Sequence, residues 1–437
     1  MELMPGYKQT LAGVIPDDWQ LTWLGAHGET FGGLTGKTKK DFGTGDAQYV
    51  TFMNVISNVV IDCDVFDRVH ISPAESQNRV RKNDLLFNGS SETPEEVAFC
   101  AVHIEDVSDL YLNSFCFGFR LRDHLTIDPL FLAYLFRSRA GRELVKVLAQ
   151  GSTRYNISKR ALLGAPLAIP PAPEQQAIAI ALSDMDALLA SFDQLIAKKR
   201  DLKQAAMQQL LTGEKRLPGF SGDWKLKSFS DLFDFSGGYS ASRDQLSDEG
   251  HCYLHYGDIH GSSKTSINTK RDFLDIPKLD ISLKRISEKS LLKHGDVVFV
   301  DASEDDAGTS KHLVIENEGD VPFISGLHTI VAKSKANDLA DAYKHYCFQT
   351  TAIRQQFMFY AVGTKVSGIS KTNIAKLTLP IPSIPEQIAI ASVLSNMDVE
   401  LAALEARSDK TRNIKQAMMQ ELLTGKTRLI AKKESHV

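Results

Sequence analysis

The stretch Gly32-Gly33-Leu34-Thr35-Gly36-Lys37-Thr38 stops one residue short of a phosphate cradle. Such a cradle needs four residues between its first Gly and its Gly-Lys-Thr, so that successive N–H groups curl around phosphate oxygens. Only three lie between Gly32 and Gly36. Two other groups invite chemistry. His251, Cys252, His255 and His260 are close enough in sequence to suggest a metal, but no carboxylate completes the set. Asp301, Ser303 and His328 have the residue types of a nucleophilic triad, without the Gly-x-Ser-x-Gly elbow that presents such a serine. No Glu-x-Lys suggests a nuclease and no Asn-Pro-Pro-Tyr suggests amino methylation. What remains is a set of four polar loops: NGSSETPEE from Asn88, DASEDDAGTSK from Asp301, AQGSTRYNISK from Ala149 and AVGTKVSGISK from Ala361. Their Ser, Thr, Asn, Arg and Lys side chains suit hydrogen bonds to phosphates and base edges.

These loops recur because the chain is written twice. PAPEQQAIAIALSDMDALLA from Pro171 and SIPEQIAIASVLSNMDVELA from Ser383 share Pro-Glu-Gln, Ile-Ala and Met-Asp, 212 residues apart. The same offset takes Leu210-Leu211-Thr212-Gly213 to Leu422-Leu423-Thr424-Gly425, and Ile157-Ser158-Lys159 to Ile369-Ser370-Lys371. Near the start of each half the offset falls to 205, pairing Trp19 with Trp224 and Gly32-Gly33 with Gly237-Gly238. The partner of GGLTGKT is GGYSASR, which keeps the glycines and loses Gly-Lys-Thr. A cradle used by both halves would have kept them, so the shared feature is a Gly-Gly turn after a strand.

The recurring segments predict long helices. Ile178, Leu182, Met185, Leu189 and Phe192 step by four and three, and Ile390, Leu394, Met397, Leu401 and Leu404 repeat that seam. Lys199 in the first copy, and Ser408 and Thr411 in the second, interrupt the pattern. Pro173 and Pro385 suit a first helical turn, and Gly213 and Gly425 the residue past a helix end. About forty residues between these marks span roughly 60 Å. Each helix is acidic first (Glu174, Asp184, Asp186; Glu386, Asp398, Glu400) and basic later (Lys199, Arg200, Lys203; Lys410, Arg412, Lys415). The gradient favours an antiparallel pair, since parallel packing would oppose like charges.

The intervening regions read as mixed α and β. YVTFMNVI from Tyr49, DLLFNGSS, FCFGFRL, HYGDI, DVVFVDAS and LHTIVA look strand-like. LFLAYLFRSRAGRELVKVLAQ from Leu130 and AYKHYCFQTTAIRQQFMFYA from Ala342 look helical. The expected segmentation is 1–170 and 218–382 for two globular domains, 171–217 and 383–430 for two helical spacers, and 431–437 for a tail. With 437 residues, 43% of them hydrophobic, the chain is long enough for several cores. Five cysteines without a CxxC pair give no disulfide frame or zinc ribbon, and no export signal or bilayer-length apolar run is read, so a cytoplasmic protein is expected. A net charge of −4 argues against a nonspecific nucleic-acid binder, not against a reader whose basic residues are local.

Taken together, the doubled Pro-Glu-Gln helix ending in Leu-Leu-Thr-Gly, the Asp-Trp and Gly-Gly opening each half, and the stretches GSSETPEE, NSFCFGFRL, ASEDDAGTSKH and SGLHTI resemble the specificity subunits of type I restriction–modification systems. The resemblance covers nearly the whole chain. It implies an α+β fold of two mixed α/β target recognition domains related by pseudo-two-fold symmetry and separated by two long antiparallel helices. It implies double-stranded DNA as ligand and two methyltransferase subunits as partners, with restriction–translocase subunits joining the complex and no membrane. The chain itself would hold no cofactor, with methyl donor, ATP and Mg on the partners. A specificity chain of another multi-subunit restriction system, or a stand-alone nucleic-acid-modifying enzyme, is the alternative. Loop chemistry nominates Lys37, Lys39, Lys40, Ser90, Ser91, Thr153, Arg154 and Asn156 for DNA contact in the first half. In the second it nominates Arg243, Ser303, Ser310, Lys311, Lys365, Ser367 and Lys371.

Overall fold

The structure is a computed structural model and describes residues 5–122, 126–261, 264–303, 310–363 and 367–429. The two recurring segments are helices of 39 residues each, Ala172–Leu210 and Ile384–Leu422, offset by the 212 residues of the repeat. Pro173 and Pro385 lie in their first turns. Gly213 and Gly425 follow their ends at φ +74° and +70°, the left-handed conformation that glycine adopts without a Cβ clash. The chain forms two compact units. One combines Met1–Asp193 with Ala406–Val437, and the other is Gln194–Glu405. Each unit therefore takes half of each long helix, rather than ending where a helix begins as the five-segment reading expected.

In the first unit a sheet runs in the order Gly28–Gly32, Cys116–Leu121, Leu85–Asn88, Cys100–Val102, with antiparallel neighbours. Helices Pro129–Arg137 and Arg139–Leu148 supply apolar side chains to its core, where Phe87, Phe119, Phe131 and Phe136 are fully buried. A second sheet, Leu110–Leu112, Phe42–Val50, Asp67–Val69, lies around Val50, Val55 and Leu112. The other unit repeats the plan with Phe233–Gly237, Thr329–Ser334, Val297–Val300 and His312–Glu316, and adds Ser266–Asn268 at the edge. In both, the strand near the start of the half (Gln20–Trp23 or Lys225–Ser228) pairs with the strand leading into the long helix (Pro166–Ile169 or Thr378–Ile381).

Several local expectations are corrected. YVTFMNVI is a strand only to Val50; Thr51 caps a helix, Phe52–Ser57, by accepting from the Asn54 N–H. HYGDI is mostly the helix Tyr256–His260, begun by His255 as N-cap. The long helical stretch from Leu130 breaks at Ser138, whose hydroxyl caps the second piece by accepting from Gly141 N–H. The helical stretch from Ala342 likewise divides into Asp341–Cys347 and Thr351–Tyr360. Helix Ile384–Leu422 holds an 18-residue window of mean hydropathy 1.2, long and apolar enough by length and composition to cross a membrane, which the sequence reading did not pick out. Its Ile390, Ala391 and Leu394 are buried in the core of the second unit.

The helix seam holds within each unit. Ile178, Leu182, Leu189, Phe192, Ile390 and Leu394 are buried, while Met185, Met397, Leu401 and Leu404 are half-buried. Ile178 and Leu182, with Leu422 at the end of the other helix and Leu423 just past it, belong to the globular core of the first unit, so the seam is more than a coiled coil. Ser408 and Thr411 do not interrupt it: both are buried, and Thr411 returns its hydroxyl to the Arg407 carbonyl at 2.8 Å. The direction of pairing follows the charge gradient. In the first unit Asp186 meets Lys415 and Phe192 lies under the Arg407 guanidinium at 5.4 Å. In the second Lys199 meets Glu400 at 2.6 Å and Lys203 meets Asp398. Rising numbers face falling ones in both, which is antiparallel packing.

The Pro-Glu-Gln motif ties helix to globular core. Gln175 and Gln387 are buried. Gln175 Oε1 accepts from Asp128 N–H at 2.8 Å, and its Nε2 donates to the carbonyls of Thr126 and Pro170. Gln387 repeats this with Ala340 N–H and the carbonyls of Asp338 and Pro382. Glu174 and Glu386 are equally buried and each receives a bidentate arginine from beyond a helix end: Arg428 at 2.6 and 2.7 Å, Arg216 at 2.5 and 2.7 Å. Trp19 Nε1 also donates to Glu174. Its counterpart Trp224 instead lies under the Arg216 guanidinium, with Nε1 unpartnered.

Candidate nucleic-acid interface

The nominated residues collect around one small motif in each unit. In the first, strand Ser90–Ser91 pairs antiparallel with Tyr155–Ile157, Tyr155 opposite Ser91 and Asn156 opposite Ser90. In the second, Ala302–Ser303 pairs with Ser367–Gly368, Ser367 opposite Ser303 and Gly368 opposite Ala302. The register is the same at the 212-residue offset. Gly151 (φ +133°) and Gly363 (φ +149°) hold the turn before the returning strand in a backbone conformation open to glycine, and a Cβ at Gly151 would lie 2.2 Å from the Arg154 carbonyl.

Around this scaffold the side chains differ. Arg154 is exposed; its Nε donates to Ser90 Oγ at 3.1 Å and its guanidinium lies 5.6 Å from the Phe115 ring centroid. Ser91 donates to Glu96 at 3.0 Å, Asn156 donates to the Arg154 carbonyl, and Thr153 is exposed beside them. Ser90, Ser91 and Ser303 are themselves buried and serve the strand pair first. In the second unit Asp301 accepts Ile369 N–H on its carbonyl, and its carboxylate meets His328 Nδ1 at 3.2 Å. Two members of the paper triad thus do meet, while Ser303 is locked in the strand pair. Among the described residues no group of three or more His, Cys, Asp or Glu could hold a metal, so the histidine cluster gains no support. Burial and the nearby Arg243 lower the pKa of His255, which with Tyr256 forms a ring contact at 4.6 Å.

The lysines separate into two kinds. Lys37 is spent internally: its ammonium donates to the His70 carbonyl at 2.6 Å and pairs with Glu75 at 2.5 Å, its side chain only 4% exposed. Lys311 donates to the His260 carbonyl. Neither is a free phosphate donor, against expectation. Lys39 and Lys40 are exposed on a short turn whose start is fixed by a Thr38–Asp41 capping box, with no carboxylate partner of their own among the described residues. Arg243 occupies the matching turn, behind a Ser242–Gln245 box, and pairs with Asp258 at 3.1 Å while 62% exposed. Ser310 precedes Lys311, its carbonyl meeting His312 Nδ1 at 3.2 Å. Lys365 lies outside the described residues.

Lys371 begins the helix Lys371–Ile374, and a side chain at Gly237 would meet its Nζ at 3.5 Å. Sequence reasoning missed its counterpart Lys159, although the Ile-Ser-Lys repeat contained the signal: a side chain at Gly32 would meet Lys159 Nζ at 3.8 Å. The second glycine of each pair has another cause. A Cβ on Gly33 would lie 2.1 Å from the Asn113 carbonyl oxygen, and one on Gly238 1.8 Å from that of Gly326. Neither has positive φ, so a close backbone approach, rather than a turn, demands glycine at this place.

Residues 16–198 and 221–411 match the family model described as Type I restriction modification DNA specificity domain. The chain belongs to this family. As a type I specificity subunit it is 23% identical over 432 residues, 97% of each chain, to a putative type I restriction enzyme MjaX specificity subunit of Methanocaldococcus jannaschii. Its fold is similar to that of the type I S subunit from M. genitalium, with TM-score 0.53, 14% identity and coverage of 97% and 98% of the two chains. The HsdS subunit from Thermoanaerobacter tengcongensis gives TM-score 0.50 at 15% identity, covering 94% and 98%. The α+β fold of two specificity domains with long helices thus agrees with the sequence reading.

Proposed function

We propose that this specificity subunit reads a bipartite, asymmetric DNA target, one part with each unit, and presents it to two docked methyltransferase subunits. Restriction–translocase subunits join that complex, and methyl donor, ATP and Mg are held by the partners. One observation carries the reading: the same strand pair, in the same register, is built in both units but carries Tyr155 and Asn156 in one and Ser367 and Gly368 in the other. A constant frame with unlike side chains is what two readers of unlike half-sites need. Phosphate contacts from Lys39, Lys40, Lys159, Lys371 and Arg243 supply affinity, and loop side chains such as Thr153, Arg154 and Asn156 supply discrimination. A good bidentate base contact discriminates by ~1–3 kcal/mol.

The test is coexpression with the neighbouring methyltransferase gene product, followed by sequencing of methylated sites. A two-part motif with unlike halves is expected. Arg154→Ala should then relax or weaken recognition of one half-site alone; equal loss at both, or a motif without two parts, would refute the assignment.

A further inference from the structure

Phe115 and Leu327 stand at the same place in the repeat, 212 residues apart, at the tip of the turn entering the second strand of each main sheet, Cys116–Leu121 and Thr329–Ser334. Both are exposed, Phe115 by 60% and Leu327 by 41%. A single exposed apolar residue needs no explanation. Two at equivalent positions, each beside the strand pair that carries the polar candidates, do.

Neither tip is loose. Asn113 Oδ1 accepts the Phe115 N–H at 2.9 Å, and the Phe115 carbonyl accepts Gly89 N–H at 2.8 Å, fixing the tip to the segment between Asn88 and Ser90. The Leu327 N–H donates to the hydroxyl of the fully buried Tyr253 at 3.1 Å, and Thr329 Oγ1 donates back to the Gly326 carbonyl at 2.5 Å. His328, next in sequence, is held at φ +59°, a conformation uncommon for a non-glycine residue, with its ring on Asp301 and 5.5 Å from the Tyr256 ring. Arg154 lies across the Phe115 ring while bonded to Ser90, so the first tip is part of the same polar cluster.

We infer that Phe115 and Leu327 are specificity-determining residues, each making apolar contact with a thymine 5-methyl group in the half-site its unit reads. The inference rests on the DNA-reading function proposed above. A thymine methyl is the apolar feature of the major groove, and it is a surface that both a phenyl ring and an isobutyl group can meet. Fixing each tip by its backbone avoids an ordering cost on binding.

The experiment uses the full chain in complex with its methyltransferase, with methylated-site sequencing as readout. Phe115→Ala should introduce degeneracy at a position of one half-site where the unchanged complex requires an A·T pair, and Leu327→Ala at such a position in the other. In a synthetic duplex, uracil in place of that thymine should weaken binding by the unchanged complex about tenfold and leave the corresponding alanine variant unaffected. Because both side chains are exposed, the variants are expected to fold; unfolding midpoints equal to the parent verify this. An unchanged motif in both variants, degeneracy where no A·T pair is required, or equal uracil sensitivity of parent and variant would overturn the inference. Failure of the unchanged complex to methylate any defined motif would instead overturn the reading on which it rests.

Discussion

His312 illustrates how burial sets the chemistry of a single residue. Its ring is enclosed by Phe348 and Phe299, at 5.2 and 5.6 Å, with His345 and the cationic Arg354 as neighbours that also disfavour its protonated form. Burial first, opposed by the Ser310 carbonyl, lowers its pKa to about 4. The unfolded chain therefore takes up a proton between about pH 6.5 and 4 that the folded chain does not, so stability falls as pH drops through that window and is constant above it. Burial lowers His103, His255 and His345 in the same direction. For His312 alone the loss should reach about 2 kcal/mol by pH 5. Urea denaturation at pH 5 and 7.5 is the check: His312→Phe should reduce the difference between the two, and an unaltered difference would show that His312 is not the residue responsible.

At the scale of elements, the charge order along each helix specifies its partner's direction. Lys415 and Asp186 are partly exposed, so their pair contributes on the order of 1 kcal/mol or less. Lys415→Glu sets two carboxylates together and should destabilise by about 1 kcal/mol, with Asp186→Lys in the same chain restoring part of it. A thermal-shift double-mutant cycle reads the coupling. The arginine behind each helix end matters more. Removing Arg428 leaves Glu174 buried without its bidentate partner, and Arg428→Ala should cost about 2–3 kcal/mol, reduced from the fully buried case by partial exposure of the guanidinium. Arg216→Ala should act similarly at Glu386. Chemical denaturation of both variants decides whether these closures carry that weight; losses below 0.5 kcal/mol would contradict it.

For the whole molecule the relevant quantity is the supply of free positive charge. The chain has 50 Lys and Arg against 54 Asp and Glu, and several of its lysines are committed internally, as with Lys37, Lys278, Lys311 and Lys344. The net charge of −4 gives the isolated chain no overall positive field to strengthen its local phosphate contacts. Binding by the isolated chain at 150 mM salt should be weak, and the methyltransferase complex should bind with a steep decline as salt rises. Filter binding or anisotropy across a salt series measures both. Comparable affinity with and without the partner would show that the phosphate contacts of this chain suffice by themselves.

Linear properties of the sequence determined the duplication, the two helices with their proline starts and glycine ends, and the antiparallel direction implied by the charge gradient. Period, end signals and charge order lie within a few turns of one segment and do not depend on remote folding. Strand limits at Val50 and His255 were less legible, because a threonine or histidine cap competes with β-forming neighbours. Tertiary structure alone decided which candidates are available to a ligand. Lys37 and Lys311 look like phosphate donors in sequence but point at carbonyls brought in from 33 and 51 residues away. Arg428 reaches Asp18 across 410 residues, and the need for Gly33 arises from the Asn113 carbonyl. Such partners are set by how distant segments cross, which no local spacing records.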